Sequence, residues 1–308
     1  MILNTGSRTD IPAFFSPWFY NRIREGFVLA RNPYNPIQVT RYRLTPELID
    51  CLVFCTKNPT PALKELSLLD AFHQYWQVTI TPYGKDVEPY VPPVKDVISA
   101  FQRLSQVKGL ECVGWRYDPI LIYGPYSLDF HIRSFEEMAR AMEGYTDHCV
   151  ISFVDLYQKT CRNFPGIRRV SQEERLVVGE AFAEIGRQHG IQIRTCCEGD
   201  ELAVFGIDCS GCLTQAVIER AVGGTLRIPR MKPARADCGC LLGNDIGAYN
   251  TCGHGCLYCY ANESTEAVNA NVRLHNPDSP FLIGNGFPED IITDARQESY
   301  FDGQLRLF

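Results

Sequence analysis

Three cysteines near the carboxyl terminus have the residue type and spacing that could do chemistry. Cys252, Cys256 and Cys259 follow the pattern C-x3-C-x2-C on a glycine-containing segment, called here the cysteine loop (Cys252–Cys259). Three thiolates at this spacing can hold a cubane 4Fe-4S cluster and keep its fourth iron open. An open iron can bind a small molecule and start chemistry on it. The cysteine loop therefore predicts an iron–sulfur enzyme.

A zinc knuckle is the alternative interpretation of the cysteine loop. It would need a fourth ligand, for which His254, Cys238 and Cys240 are candidates. His254 lies inside the loop, so it could orient a bound group or simply face solvent. Because a three-thiolate loop without a paired C-x2-C partner is poor zinc geometry, iron–sulfur is the favoured interpretation.

The other cysteines indicate a second metal site. Nine of the 14 cysteines follow residue 195, and in a reducing compartment this density favours metal ligands or redox thiols over disulfides. Four are predicted to hold an auxiliary 4Fe-4S cluster or a structural zinc ion: Cys209, Cys212, Cys238 and Cys240. Cys196 and Cys197 are an alternative source of thiolates. Four cysteines in apolar strands are interpreted as small buried side chains: Cys51, Cys55, Cys112 and Cys149.

The composition is that of a globular chain. Hydrophobic residues make up 45% and charged residues 21% of 308 residues. Residues 1–10 lack a signal pattern and no apolar run approaches the ~18 residues of a membrane span, so we expect a cytoplasmic protein without a membrane partner. The net charge of −6 argues against a nucleic-acid partner.

Strand-like and helical segments alternate over residues 1–200. Apolar runs such as Cys51–Cys55 and Cys149–Phe153 are typical of buried parallel strands. Repeated strand–helix units predict an α/β fold, either a full or a partial (β/α)8 TIM-like barrel. Residues 201–308 form a cysteine-rich region that carries the cysteine loop, and we expect it to pack on the barrel within one structural domain.

Capping motifs place two of the predicted helices. Ser171 and Glu174 form a capping box for a helix that ends near His189. Ser134 and Glu137 have the same spacing and predict a helix that begins there.

Polar side chains follow the predicted strands. The carboxyl ends of parallel strands form the active-site face of a barrel, although polar residues also occur where chains simply turn. Arg116 with Asp118 could hold a carboxylate and a ribose hydroxyl, and Lys57 a carboxylate or phosphate. No catalytic residue is assigned. The predicted cofactor-binding residues are Arg8, Asp10, Lys57, Asn58, Thr79, Arg116, Asp118, Asp155 and Glu198.

The cysteine loop resembles the cluster motif of radical S-adenosylmethionine enzymes, including the aromatic Tyr258 before the last cysteine. The resemblance implies a 4Fe-4S cluster that binds S-adenosylmethionine, an electron donor, and a 5′-deoxyadenosyl radical acting on an unknown substrate at the barrel mouth. In that family the loop follows the first strand, whereas here it follows the last predicted strand, Ile246–Tyr249. A circular permutation would reconcile the two arrangements.

Over residues 1 to about 285 the chain resembles the family called domain of unknown function 1848. The segments that carry the resemblance are Ser7–Pro12, Phe54–Pro59, Arg116–Ile120 and Cys252–Asn262. Because that family has no established reaction, the substrate could be a small molecule or a macromolecule. A non-catalytic binding or redox-sensing protein, stabilised by zinc or an iron–sulfur cluster, is the alternative to an enzyme.

Overall fold

Six parallel strands form the centre of the molecule. The computed structural model describes residues 1–229, 238–241 and 243–302. Each strand of the sheet pairs in parallel with its neighbours, and the order across the sheet follows the chain. The strands are, in spatial order, β1 (Ile2–Asn4), β4 (Cys51–Thr56), β5 (Gln74–Thr79), β6 (Val113–Ile120), β7 (His148–Phe153) and β8 (Gln192–Thr195).

Isolated parallel bridges continue this sheet at both edges. Asn4 pairs with Asp245 beside β1, and Arg194 pairs with Asp208 beside β8. The α/β fold with a parallel sheet is therefore confirmed. The predicted strand Ile246–Tyr249 is wrong, because the Asp245 carboxylate accepts the Gly247 N–H at 3.1 Å and turns the chain after a single bridge. Of the predicted cysteine-rich region, residues 230–237, 242 and 303–308 lie outside the described residues.

A second, three-stranded sheet lies apart from the first. It consists of β2 (Phe27–Arg31), β3 (Gln38–Arg43) and β9 (Ile291–Asp294). β2 and β3 are antiparallel, whereas β3 and β9 are parallel. The late segment therefore pairs with an early one, a contact between residues about 250 positions apart that no local pattern predicts.

The helices begin at recognisable caps. Ser171 and Glu174 form the predicted capping box. The predicted start at Ser134 is wrong, because the Ser127 side chain accepts the Phe130 N–H and opens that helix seven residues earlier. No helix in the described part of the chain is both long and apolar enough to cross a membrane. The α-helices are α1 (Ile11–Phe14), α2 (Ser16–Glu25), α3 (Val94–Lys108), α4 (Leu128–Met142), α5 (Gln158–Asn163), α6 (Gln172–Gln188), α7 (Gln215–Val222) and α8 (Thr265–Val272). Short 3-10 helices span Ala62–Leu69, Leu110–Cys112 and Glu201–Phe205.

The two faces of the parallel sheet are covered differently. Side chains alternate along each strand, so Phe54, Trp76 and Trp115 enter one large core with the helices. Val53 and Tyr75 face the opposite way, into a smaller core that α7 and several cysteines complete. This second face is called the inner face. Toward the carboxyl ends of the strands, the side chains on the inner face become polar, and these side chains form the candidate site.

A buried histidine makes the fold sensitive to acid. His131 Nδ1 lies 2.8 Å from the Tyr117 hydroxyl and Nε2 lies 2.9 Å from the Leu121 carbonyl oxygen. Burial lowers the pKa of His131 from its ordinary value of 6.5 to about 4. As the pH falls through this window the unfolded chain takes up a proton that the folded chain does not, so stability falls by about 3 kcal/mol. Denaturation from pH 7 to 4 should show this slope, and His131→Gln should flatten it.

Candidate active site and metal centre

The cysteine loop lies at the carboxyl-terminal edge of the parallel sheet. The Tyr90 N–H donates to the His254 carbonyl at 3.1 Å, and the Leu257 N–H donates to the Val87 carbonyl at 3.0 Å. The Asn163 side-chain amide donates to the Leu257 carbonyl at 2.7 Å. A Cβ atom at Gly255 would lie 2.9 Å from the Tyr90 ring, and the φ of +71° also favours glycine. The loop is thus held by segments that follow β5 and β7.

The three thiols of the loop are close enough to affect one another. Burial, followed by the nearby Asp10 and Cys259, raises the pKa of the Cys252 thiol. Burial raises the pKa of Cys256 to about 12 although Lys57 lowers it. The Ala261 N–H lies 3.4 Å from the Cys259 sulfur, the kind of N–H to sulfur contact that tunes iron–sulfur clusters.

Two buried polar atoms beside these thiols offer contacts to a bound group. Within the described part of the chain, Nδ1 of His254 and Oδ1 of Asn262 are buried without a hydrogen-bond partner. His254 is 2% exposed, so the solvated interpretation is wrong. The three thiols are a donor set of the kind that holds a 4Fe-4S cluster with three protein ligands, and the two unpaired atoms are free to hydrogen-bond a ligand bound beside it.

A buried ion pair fixes the far end of the loop. Oε1 of Glu88 lies 2.8 Å from the Lys57 ammonium and 2.7 Å from the Thr81 hydroxyl, and it also accepts the Tyr258 hydroxyl. Burial opposes the charge on Lys57, but Glu88, Cys256 and Asp118 outweigh it and raise the pKa of Lys57. Lys57 therefore stays a cation next to the Cys256 thiol.

Asp10 fixes the near end of the loop. One of its oxygens caps α1 through the Ala13 N–H at 3.0 Å. The other oxygen accepts the Lys57 backbone N–H and contacts His254 Nε2, both at 2.8 Å. Asp10 thus joins the segments after β1 and β4 to the cysteine loop.

Arg8, also after β1, binds the segment that precedes the cysteine loop. Its Nε donates to the Asp245 carboxylate at 2.7 Å, and its guanidinium lies 5.9 Å from the centre of the Tyr249 ring.

The remaining charged groups line the edge above β6, β7 and β8. Arg116 pairs with Asp118, which also accepts the Ser152 hydroxyl. Burial opposes the charge on Arg116, but Asp118 and the thiols of Cys212 and Cys196 raise its pKa. Burial also raises the pKa of Glu198 to about 7.

Two further hydrogen bonds involve predicted residues of this edge. The Glu198 carboxylate accepts the Phe153 N–H at 2.8 Å. The Tyr157 hydroxyl donates to Asp155 at 3.2 Å.

Two predicted cofactor-binding residues are placed differently. The Asn58 side chain accepts the Thr60 N–H at 3.2 Å and so serves the turn after β4. Thr79 ends β5 and, with Thr81 and Glu88, lines a pocket of about 220 Å³ beside the start of α3. Thr79 therefore lies beside the groups that bond Lys57, whereas Asn58 serves the local turn.

A second cysteine group lies deeper, on the inner face of the sheet. The sulfur atoms of Cys196, Cys212 and Cys240 all lie within 4.8 Å of one another. Three ligand atoms at this spacing could hold a metal ion. The hydrogen bonds that Cys196 shares with the thiols of Cys197, Cys212 and Cys240 lower the pKa of Cys196. The Cys196 thiol in turn raises the pKa of Cys212 to about 11.

The predicted second-site cysteines divide around this group. Cys212 and Cys240 belong to it, and Cys238 contacts Cys197 at its border. Cys209 does not join it: its sulfur contacts the Ile207 carbonyl at 3.7 Å and packs against the large core.

Several residues of the site were not predicted from the sequence. Glu88 lies in an irregular connection, where no periodicity distinguishes it from a surface glutamate. Gln77 connects the inner-face cysteines to Arg116: its amide donates to the Cys212 carbonyl at 2.9 Å, and its oxygen accepts from Arg116 at 3.2 Å. Cys55, interpreted as a packing residue, points its thiol at the same oxygen at 3.5 Å. The available signal was the alternation within β4 and β5, which places both residues on the inner face.

Fold and site together define an α/β protein whose parallel sheet carries a buried cysteine group able to hold a metal ion. The family model described as Domain of unknown function (DUF1848) matches residues 2–261, and the chain belongs to this family. Comparison with curated proteins and with solved structures returned no match.

Proposed function

We propose that the chain is a radical S-adenosylmethionine-like iron–sulfur enzyme in which Cys252, Cys256 and Cys259 hold a 4Fe-4S cluster. The observation that carries the proposal is the cysteine loop itself. It presents three thiols at the carboxyl-terminal edge of a parallel sheet, the edge at which α/β proteins bind ligands. His254 Nδ1 and Asn262 Oδ1 offer unpaired buried atoms to a group bound there.

The sheet supports a barrel-like arrangement for this enzyme. Six strands with a bridge at each edge provide eight successive parallel positions, the number in a TIM barrel. In this arrangement the cysteine loop follows the eighth position, which neighbours β1 through Asn4 and Asp245. A circular permutation of the radical S-adenosylmethionine barrel would have this order, with the described part of residues 201–308 packed on the barrel in one structural domain.

The chain's own groups would hold and orient the ligands. A 4Fe-4S cluster with bound S-adenosylmethionine supplies one-electron cleavage of a carbon–sulfur bond. Lys57, whose ammonium stays charged beside Glu88, would lie next to the Cys256 thiolate of a bound cluster and would offset part of its negative charge. Asp118, paired with Arg116, and Glu198, paired with Arg175, would present their carboxylates to hydroxyl or amino groups of a ligand. An electron donor and a substrate at this edge would be the partners of a cytoplasmic enzyme.

Anaerobic reconstitution with iron and sulfide tests the proposal. The parent should become brown, change its EPR spectrum when S-adenosylmethionine is added after reduction, and release 5′-deoxyadenosine. Cys256→Ala should lose these properties, whereas Cys161→Ala, which removes an exposed thiol of α5, should keep them. A parent whose iron is unaffected by Cys256→Ala, or whose spectrum ignores S-adenosylmethionine, would overturn it.

A non-catalytic metal-stabilised protein is the second candidate. The buried group of Cys196, Cys212 and Cys240 favours it, because a closed thiolate site contributes folding energy without chemistry. It predicts that Cys256→Ala lowers stability and that the parent forms no 5′-deoxyadenosine. Retained stability together with lost 5′-deoxyadenosine formation in Cys256→Ala would exclude it.

A further inference from the structure

The sulfur spacing of the inner-face cysteine group distinguishes one metal ion from a cluster. Cys212 Sγ lies 3.4 Å from Cys196 Sγ and 3.2 Å from Cys240 Sγ. In a tetrahedral zinc site with Zn–S bonds of about 2.3 Å, ligand sulfurs are about 3.8 Å apart. In a cubane each ligand sulfur binds a different iron and stands farther from the others. The observed distances therefore match a single ion, after a shift of a few tenths of an ångström.

The backbone around these cysteines is built for close approach. Gly211 precedes Cys212 with φ +119°, and a Cβ there would lie 3.2 Å from the Cys240 sulfur. A Cβ at Gly239 would lie 2.7 Å from the Ser210 carbonyl oxygen. The two segments are joined by the Leu241 N–H, which donates to the Leu213 carbonyl at 2.9 Å. The Cys212 N–H points at the Cys240 sulfur at 3.3 Å, so two glycine-containing turns close on shared thiols.

We propose that Cys196, Cys212 and Cys240 bind one zinc ion on the inner face of the sheet, with the fourth thiolate from the adjoining pair Cys197 and Cys238. Tetrahedral thiolate coordination suits zinc, and a buried site with four protein ligands is structural. The ion joins the end of β8 to two separate segments of the cysteine-rich region.

Two charged or polar groups complete the surroundings of the zinc site. Arg116 faces its thiols from β6 and offsets the excess negative charge of four thiolates on a divalent ion. Gln77 of β5 fixes the Cys212 carbonyl from the same side. The zinc site thus lies on the inner face, next to the polar carboxyl-terminal edge of the sheet. Its occupancy does not depend on what the cysteine loop binds.

X-ray absorption at the zinc edge tests the site in the intact chain. Because the measurement is specific to zinc, iron at the cysteine loop does not contribute. We expect one zinc ion per chain, surrounded by four sulfur atoms at about 2.3 Å. A parent grown with zinc that holds none, or a zinc ion bound by nitrogen and oxygen, would overturn the proposal.

Variants locate the ion. Cys212→Ala and Cys240→Ala should lose the zinc, whereas Cys240→His, which keeps a ligand atom, should retain it and shows that loss is not merely misfolding. Cys209→Ala is the matched control, since Cys209 shares the C-x2-C motif but points elsewhere. Full zinc content in Cys212→Ala, or its loss in Cys209→Ala, would contradict the assignment. Cys256→Ala should keep its zinc even if the proposed radical chemistry fails.

Discussion

Replacing Glu88 with glutamine is expected to lower the free energy of unfolding by about 3–5 kcal/mol, because it removes the carboxylate that pairs directly with the buried Lys57 ammonium. The Lys57 side chain is 13% exposed and the Glu88 side chain is 2% exposed, so water cannot replace the lost partner. The Tyr258 hydroxyl would also lose its carboxylate acceptor, and Tyr258 directly precedes Cys259. Chemical denaturation should show the stability loss, and iron analysis after reconstitution should show weaker retention at the cysteine loop.

An exposed pair gives the control for this prediction. Arg24 and Glu65 also form an ion pair, but their side chains are 49% and 47% exposed. Glu65→Gln should therefore change stability by less than about 1 kcal/mol. Adding Lys57→Met to Glu88→Gln removes the stranded charge and should recover part of the loss. Equal effects of Glu88→Gln and Glu65→Gln would show that the pair around Lys57 is not desolvated in solution.

Asp10→Ala should cost about 4 kcal/mol, from the loss of a helix cap and from two buried donors left without an acceptor. The donors are the Lys57 backbone N–H and His254 Nε2, both 2.8 Å from the same carboxylate oxygen. Because His254 lies between Cys252 and Cys256, the variant should also hold iron less tightly. Thermal unfolding and iron content measure the two effects.

Asp10→Asn separates the two roles of this carboxylate. An asparagine can still cap α1 through the Ala13 N–H, but its amide nitrogen cannot accept from Lys57 or His254. It should therefore recover about 1 kcal/mol of stability relative to Asp10→Ala and show the same loss of iron. Ser264→Ala, which removes the cap of α8, is the control for capping alone. Normal iron binding in Asp10→Asn would contradict a role for Asp10 in shaping the loop.

The two cysteine groups differ in the chemistry that their surroundings permit. The cysteine loop lies at the sheet edge beside charged groups and unpaired buried atoms, which suits an exchangeable ligand. The inner-face group is closed by glycine turns and apolar strands, which suits a permanent ion. Gln77 and Arg116 connect the inner-face group to Asp118 at the edge through two hydrogen bonds and an ion pair.

Local sequence determined the features whose causes are local. The buried strand Cys51–Thr56 follows from a continuous apolar run, and the start of α6 follows from the capping box of Ser171 and Glu174. The C-x3-C-x2-C spacing holds three thiols on one short loop whatever surrounds it. The parallel sheet likewise follows from strands that alternate with helices.

Only the tertiary structure decided which distant residues meet. Cys209 and Cys212 share a motif, yet the turn at Gly211 sends Cys212 toward Cys196 and Cys240 while Cys209 packs on the other core. Glu88 meets Tyr258 across 170 positions, and β9 pairs with β3 across some 250. Such contacts depend on how the segments pack and on which buried polar groups must find partners, and neither is encoded in the spacing of neighbouring residues.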